Sequence, residues 1–257
     1  MPARVSGSLR VIGIGPAGAE WRTQEAERAL GAAQHVVGYH TYLARLPVLP
    51  GATLHGSDNG DELARARHAL ELTEAGFQVV VVSGGDAGVF GMAAAVFEAI
   101  ELGPARWREL DVSVLPGVTA MLAAAARLGA PLGNDFCALN LSDNLKPWAT
   151  IERRLELAAQ AGFVIALYNP ASRARTEQLS LAFQLLRQHR TPAAVVVFAR
   201  AIGRAGEDLL VTTLGEADPA HADMQTLILI GNDSTRRISR AAAPPWVYTP
   251  RRMDEAP

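Results

Sequence analysis

The chain has 257 residues, 49% of them apolar and 19% charged, with a formal net charge of -2. That is enough apolar material for one large domain or two ordinary ones with packed cores, and it excludes broad disorder. The near-neutral balance gives no electrostatic reason to expect nucleic acid or an anionic membrane, and no apolar stretch approaches the ~18–20 residues of a membrane span.

The opening, MPARVSGSLRVIGIG, runs into a glycine-rich turn too early for a secretory leader. A single cysteine, Cys137, cannot form an internal disulfide, and both features suit a cytoplasmic protein. Set in NDFCALNL, Cys137 reads as a buried small hydrophobe and not as a nucleophile.

Short Val- and Ile-rich runs alternate with longer amphipathic segments. Strands are predicted over 10–14, 35–37, 78–82, 112–115, 136–141, 163–167, 194–199, 209–213 and 226–230. Runs such as Val79 to Val82 lack alternation, as strands buried on both faces do. Helices are predicted over 23–33, 61–75, 92–102, 120–128, 148–161 and 176–188, with Thr23 and Asp61 as N-caps. The class is α/β. The regular first half implies a largely parallel sheet, and the extra strand before Thr226 makes the second sheet mixed. Domains are expected over 8–116 and 117–240. The proline-rich segment 241–257 is expected to be a loose tail.

Three turns follow predicted strands. VIGIGPAG carries Gly13, Gly15 and Gly18 at the spacing of a dinucleotide loop. Pro16 interrupts it, however, and no acidic residue closes the next strand, so an NAD site is the weaker reading. SGGDAGVFG at 83–91 lacks the lysine and hydroxyl of a phosphate loop. It reads equally as a tight strand-to-helix turn capped by Asp86 or as a ligand loop. LPGVTA at 115–120 again offers small residues and a hydroxyl. Three such turns at carboxyl ends of strands form the crevice where open α/β sheets bind small molecules.

In this order and spacing, GIGPAG, GGDAGVFG, PGVTA, LYNP (Leu167 to Pro170) and TLILIGND (Thr226 to Asp233) resemble the tetrapyrrole methyltransferase family, class III. The resemblance runs from about Leu9 to Arg237. Ala17 stands where the family often has glycine, and Ala87 replaces a proline; neither change removes a functional group. GYHTYL, FCALNLSDNLKPW and LYNPASRAR are similar to the branch that methylates C17 of precorrin-3B with ring contraction to precorrin-4. The cobalt-containing substrate of the anaerobic route stays open, as does another precorrin methyltransferase.

The resemblance implies a homodimer of two α/β domains, with S-adenosylmethionine held in the cleft between them and S-adenosylhomocysteine as product. Position by position it puts Pro16, Gly84, Gly85, Asp86, Val89, Thr119, Ala120, Tyr168, Asn169, Ala201 and Thr226 at the donor. Leu139 and Ile228 are expected to line the adenine pocket. A tetrapyrrole carrier without catalysis is a rival from another class, but a carrier would not need the donor residues.

Methyl transfer from a sulfonium is an in-line displacement for which the cofactor supplies the reactivity. The protein must align the carbon nucleophile and exclude water. Ring contraction adds a proton to be accepted. Candidates are Asp86, His40, Asp143 and Glu207, and His40 and Tyr42 directly follow a strand. The tetrapyrrole bears many carboxylates, for which Arg45, Lys146, Arg173, Arg175, Arg200 and Arg204 lie in or near loops after strands. Singly each reads as a solvated surface charge; as a group they fit an anionic macrocycle. His35, His40, His55, His68, His189 and His221 are scattered in sequence, and no protein-bound metal is expected.

Overall fold

A computed structural model describes residues 7–58, 60–172 and 175–252. The chain divides into two compact units, Met1–Ala120 and Met121–Pro257. Among the described residues, no helix is long and apolar enough to cross a membrane.

The first unit runs β1 (Ser8–Gly13), α1 (Gln24–Ala32), β2 (His35–Tyr39), α2 (His40–Leu43), β3 (Thr53–Ser57), α3 (Glu62–Glu74), β4 (Gln78–Ser83), α4 (Met92–Leu102) and β5 (Asp111–Leu115). Its sheet has the order β3-β2-β4-β1-β5, and every pair is parallel. Alternate strand residues feed opposite faces. Leu9, Val11, Val79 and Val81 pack with α3 and α4 through Ala66, Leu70 and Val96. Ile12, Val80 and Val82 pack with Ala26 and Leu30 of α1. This two-sided burial explains why VVVV shows no alternation. Each fully buried Val or Leu contributes about 1.5–3 kcal/mol.

Thr23 caps α1 as its sequence predicts, its Oγ1 accepting from the Ala26 N–H at 3.2 Å. Asp61 occupies the N-cap of α3, but its side chain makes no capping bond. β3 and α2 carry no predicted element. TLHGS is an edge strand whose residues are exposed or half-buried, so it has no apolar run to betray it.

The second unit runs α5 (Ala120–Leu128), β6 (Gly129–Ala130), β7 (Phe136–Asn140), α6 (Trp148–Gln160), β8 (Val164–Tyr168), α7 (Gln178–His189), β9 (Val195–Arg200), β10 (Asp208–Thr213), β11 (Thr226–Ile230), β12 (Arg236–Ile238) and β13 (Trp246–Tyr248). The main sheet is mixed, in the order β10-β9-β11-β8-β7, and only β7 and β8 pair in parallel. Its core gathers Leu155 of α6, Phe183 and Leu186 of α7, and Leu167, Phe198 and Ile228 of the strands.

The segment beginning at residue 241 corrects one expectation. Instead of lying loose, β13 pairs antiparallel with β12 and parallel with β6. Val247 is 1% exposed. Thr249 donates from Oγ1 to the Pro131 carbonyl at 2.6 Å and lies 2.9 Å from the Thr235 hydroxyl. Buried partners, invisible in a proline-rich stretch, order this strand.

Candidate functional site

In the first unit the carboxyl ends of β1, β4 and β5 bring the three predicted turns together. Gly15 and Gly85 exchange both backbone hydrogen bonds, each N–H donating to the other's carbonyl at 3.0 Å. Both have left-handed φ, +71° and +65°, which glycine adopts without penalty. A Cβ built on Gly13 would lie 2.5 Å from the Gly85 carbonyl oxygen and 2.8 Å from the Gly117 nitrogen. The turns therefore meet backbone to backbone.

Asp86 secures this junction. Its Oδ2 accepts from the Gly117 N–H at 2.9 Å and its Oδ1 from the Gly88 N–H at 2.7 Å. Val89 follows, half-buried, with its N–H donating to the Asp86 carbonyl. Pro16 is half-buried within the first turn, Thr119 is 4% exposed, and Ala120 opens α5. A side chain on Gly84 would strike the Tyr42 ring at 2.7 Å. Arg45 donates from Nη2 to the carbonyls of Gly15 and Ala17 at 2.8 and 2.9 Å. His40 is exposed at the end of β2, its imidazole against Gly56.

In the second unit β7, β8 and β9 run the same way, so their carboxyl ends share one edge with the start of β11. Thr226 lies opposite Arg200 there. Tyr168 accepts at Oη from the Met121 N–H at 3.2 Å. Asn169 and Ala201, the residues just past β8 and β9, hold φ of +51° and +50°; Phe90, in the second glycine turn, holds +53°. Non-glycine residues in this conformation cost of order 1–3 kcal/mol each and concentrate at binding sites.

Asn169 Nδ2 donates to Asn140 Oδ1 at 3.0 Å, and the same oxygen accepts from the Ser142 N–H at 2.8 Å. Thr226 Oγ1 donates to Asp223 Oδ1 at 2.8 Å, while Arg200 pairs with Asp223 Oδ2 at 2.7 Å. Burial opposes ionisation of Asp223, but these bonds outweigh it and hold its carboxyl below the usual range. Asn140, which the sequence reading does not place at the site, has a local signal: Asn-x-Ser in FCALNLSDN is an Asx-turn pattern.

Other candidates lie elsewhere or are engaged. The side chain of Ile228 is 0% exposed inside the second core, against which Leu139 packs. Arg173 lies outside the described residues. Lys146 is half-buried, and burial, then Arg154, push its pKa below the usual ammonium value. Arg175 donates from Nη1 to the Ser142 hydroxyl at 3.2 Å, while its Nε, like that of Arg204, is buried with no hydrogen-bond partner among the described residues.

Asp143 accepts from Gln178 at 3.0 Å, and Glu207 pairs with Arg127 at 3.0 Å while accepting from the Gly203 N–H. The histidines are less scattered than their numbering. His35 Nδ1 and His68 Nε2 each lie 3.0 Å from a ring nitrogen of His55. Among the described residues, no three His, Cys, Asp or Glu side chains form a group able to hold a metal ion. Burial raises the pKa of the Cys137 thiol, against the opposing charge of Arg190, which keeps it un-ionised and a poor nucleophile.

Glycine turns meeting at strand ends, joined by a carboxylate that binds two backbone amides, define a small-molecule site in an α/β protein. The family model of tetrapyrrole (corrin/porphyrin) methylases matches residues 8–218, and the chain belongs to that family. The chain is 55% identical over 247 residues to a precorrin-3B C(17)-methyltransferase of Sinorhizobium sp, covering 96% of this chain and 97% of the other. It is 43% identical over 230 residues to a probable cobalt-factor III C(17)-methyltransferase of Salmonella typhimurium, covering 88% and 93%. The crystal structure of the methyltransferase CobJ superposes with a TM-score of 0.91 at 48% identity, covering 95% of this chain and 100% of that one.

Proposed function

We infer that the protein is an S-adenosylmethionine-dependent precorrin-3B C17-methyltransferase of cobalamin biosynthesis, transferring a methyl group to C17 with ring contraction to precorrin-4. The observation that carries this reading is the 55% identity to the Sinorhizobium enzyme along almost the full length of both chains. The residues fit the donor. Around the Gly15–Gly85 junction the chain offers backbone and small side chains that a folded cofactor can approach closely.

When bound, the donor supplies an electrophilic methyl on a sulfonium. The chain's own part is positional. In the first unit the turn 14–18, Gly84, Gly85, Thr119 and Ala120 are the residues that hold the donor. Asp86 fixes the turns by accepting two amide protons, which leaves it poorly placed as a base. His40, exposed at the end of β2, takes the proton released on ring contraction. Arg175 and Arg204, with Lys146, receive substrate carboxylates through their charge. The reading carries with it two domains, 8–116 and 117–240, a homodimer and a cytoplasmic location.

The test is incubation of the protein with S-adenosylmethionine and metal-free precorrin-3B, followed by mass spectrometry and absorbance. One added methyl group, released S-adenosylhomocysteine and a changed chromophore are expected. His40→Ala should slow ring contraction far more than it weakens donor binding; equal turnover would exclude His40. The 43% identity to the Salmonella protein supports a second reading, the cobalt-containing substrate. Turnover of the cobalt form alone would select it.

A further inference from the structure

We propose that Arg45 is a positioning residue for the methyl donor, holding the turn 14–18 in its binding shape, and that it is not a ligand of the tetrapyrrole. This rests on the donor reading above. Arg45 reaches back from just past α2, and a single nitrogen, Nη2, spans two carbonyls of the turn, Gly15 at 2.8 Å and Ala17 at 2.9 Å. Both Nη2 hydrogens are thereby committed. The Gly15 oxygen also accepts from the Gly85 N–H at 3.0 Å, so it takes two hydrogen bonds.

The Gly15–Pro16 and Ala17–Gly18 peptide planes are therefore both tied to one guanidinium. The backbone has little other freedom there: Gly15 is left-handed at φ +71°, and a Cβ on it would meet Trp21 at 2.7 Å. Ala17 is 4% exposed. The guanidinium carbon lies 6.0 Å from the centre of the Tyr42 ring, the ring on which Gly84 closes. One short segment, 42–45, thus buttresses both the first and the second glycine turn. A cation whose Nη2 is spent on two main-chain carbonyls orders a loop; a substrate arginine would present that edge of its fork outward to a carboxylate.

The test uses Arg45→Ala and Arg45→Lys, with S-adenosylhomocysteine affinity by calorimetry, KM for each substrate, and hydrogen exchange of the peptide 13–22. Loss of two charge-assisted bonds should weaken S-adenosylhomocysteine binding about 10-fold or more in Arg45→Ala. KM for S-adenosylmethionine should rise in step, while KM for precorrin-3B stays within about twofold. Exchange across 13–22 should accelerate, and Arg45→Lys, which keeps a cationic donor, should recover part of each effect. Should Arg45→Ala fail to fold, Arg45→Lys carries the same readouts at smaller amplitude. Unchanged S-adenosylhomocysteine affinity with a raised precorrin-3B KM overturns the proposal and makes Arg45 a substrate residue. A parent protein that binds no S-adenosylhomocysteine overturns the donor reading, and this proposal with it.

Discussion

The two oxygens of Asp86 accept the N–H groups of Gly88 and Gly117, at 2.7 and 2.9 Å, and so join the turn after β4 to the turn after β5. Hydrogen bonds from backbone amides to a carboxylate are stronger than neutral ones, about 1.5–3 kcal/mol each. The Gly15–Gly85 pair then links the same turn to the one after β1. Three chain segments are registered by two small sets of bonds, and each set makes a distinct prediction.

Asp86→Asn should separate a clamp from a base. Asparagine keeps one carbonyl oxygen and turns an amino group toward the other N–H, so one bond is lost and replaced by repulsion. We expect S-adenosylhomocysteine affinity to fall about 10-fold. The pH profile of turnover should keep its shape; loss of its acidic limb would instead make Asp86 the proton acceptor.

Gly13→Ala should fail for steric reasons. The new methyl would sit 2.5 Å from the Gly85 oxygen and 2.8 Å from Gly117 backbone, and neither is a flexible side chain that can move aside. We expect about 1–3 kcal/mol of destabilisation, read from the urea midpoint, and loss of donor binding. Full affinity in the variant would show that the turns tolerate separation.

The histidine chain should make stability depend on pH. Burial first, then charge on His68 and His35, lower the His55 pKa from its ordinary 6.5. The unfolded chain therefore takes up its proton at higher pH than the folded one. Stability from this group is present above about 6.5 and is lost as pH falls below it. Urea unfolding at pH 7.5 and pH 5.5 should show a smaller drop for His55→Gln than for the parent.

Truncation after Arg240 should be costly. It removes Val247 from a buried position, the Thr249 N–H bond to the Ala130 carbonyl, and the Thr249 hydroxyl bond to Pro131. One buried valine and two hydrogen bonds together are worth roughly 3 kcal/mol. A truncated chain with an unchanged urea midpoint would show that β13 contributes nothing.

Much of this was legible from local pattern, because local pattern is what strand and helix periodicity encode. The extents of α4 and α5, Met92–Leu102 and Ala120–Leu128, coincide with those predicted, and the parallel and mixed sheets follow from element order. The glycine turns announced themselves through spacing, and their family through the ordered set of motifs. What only the tertiary structure decided is where each side chain spends its bonds. Arg45 turned inward to carbonyls, Asp86 bound amides, and Arg200 paired with Asp223; Ile228 was sealed beneath α6 and α7, and His35, His55 and His68 were brought into line. Such partners come from strands and helices far apart in the chain. Residue type sets what a side chain can bond, but packing alone determines which partner lies within 3 Å.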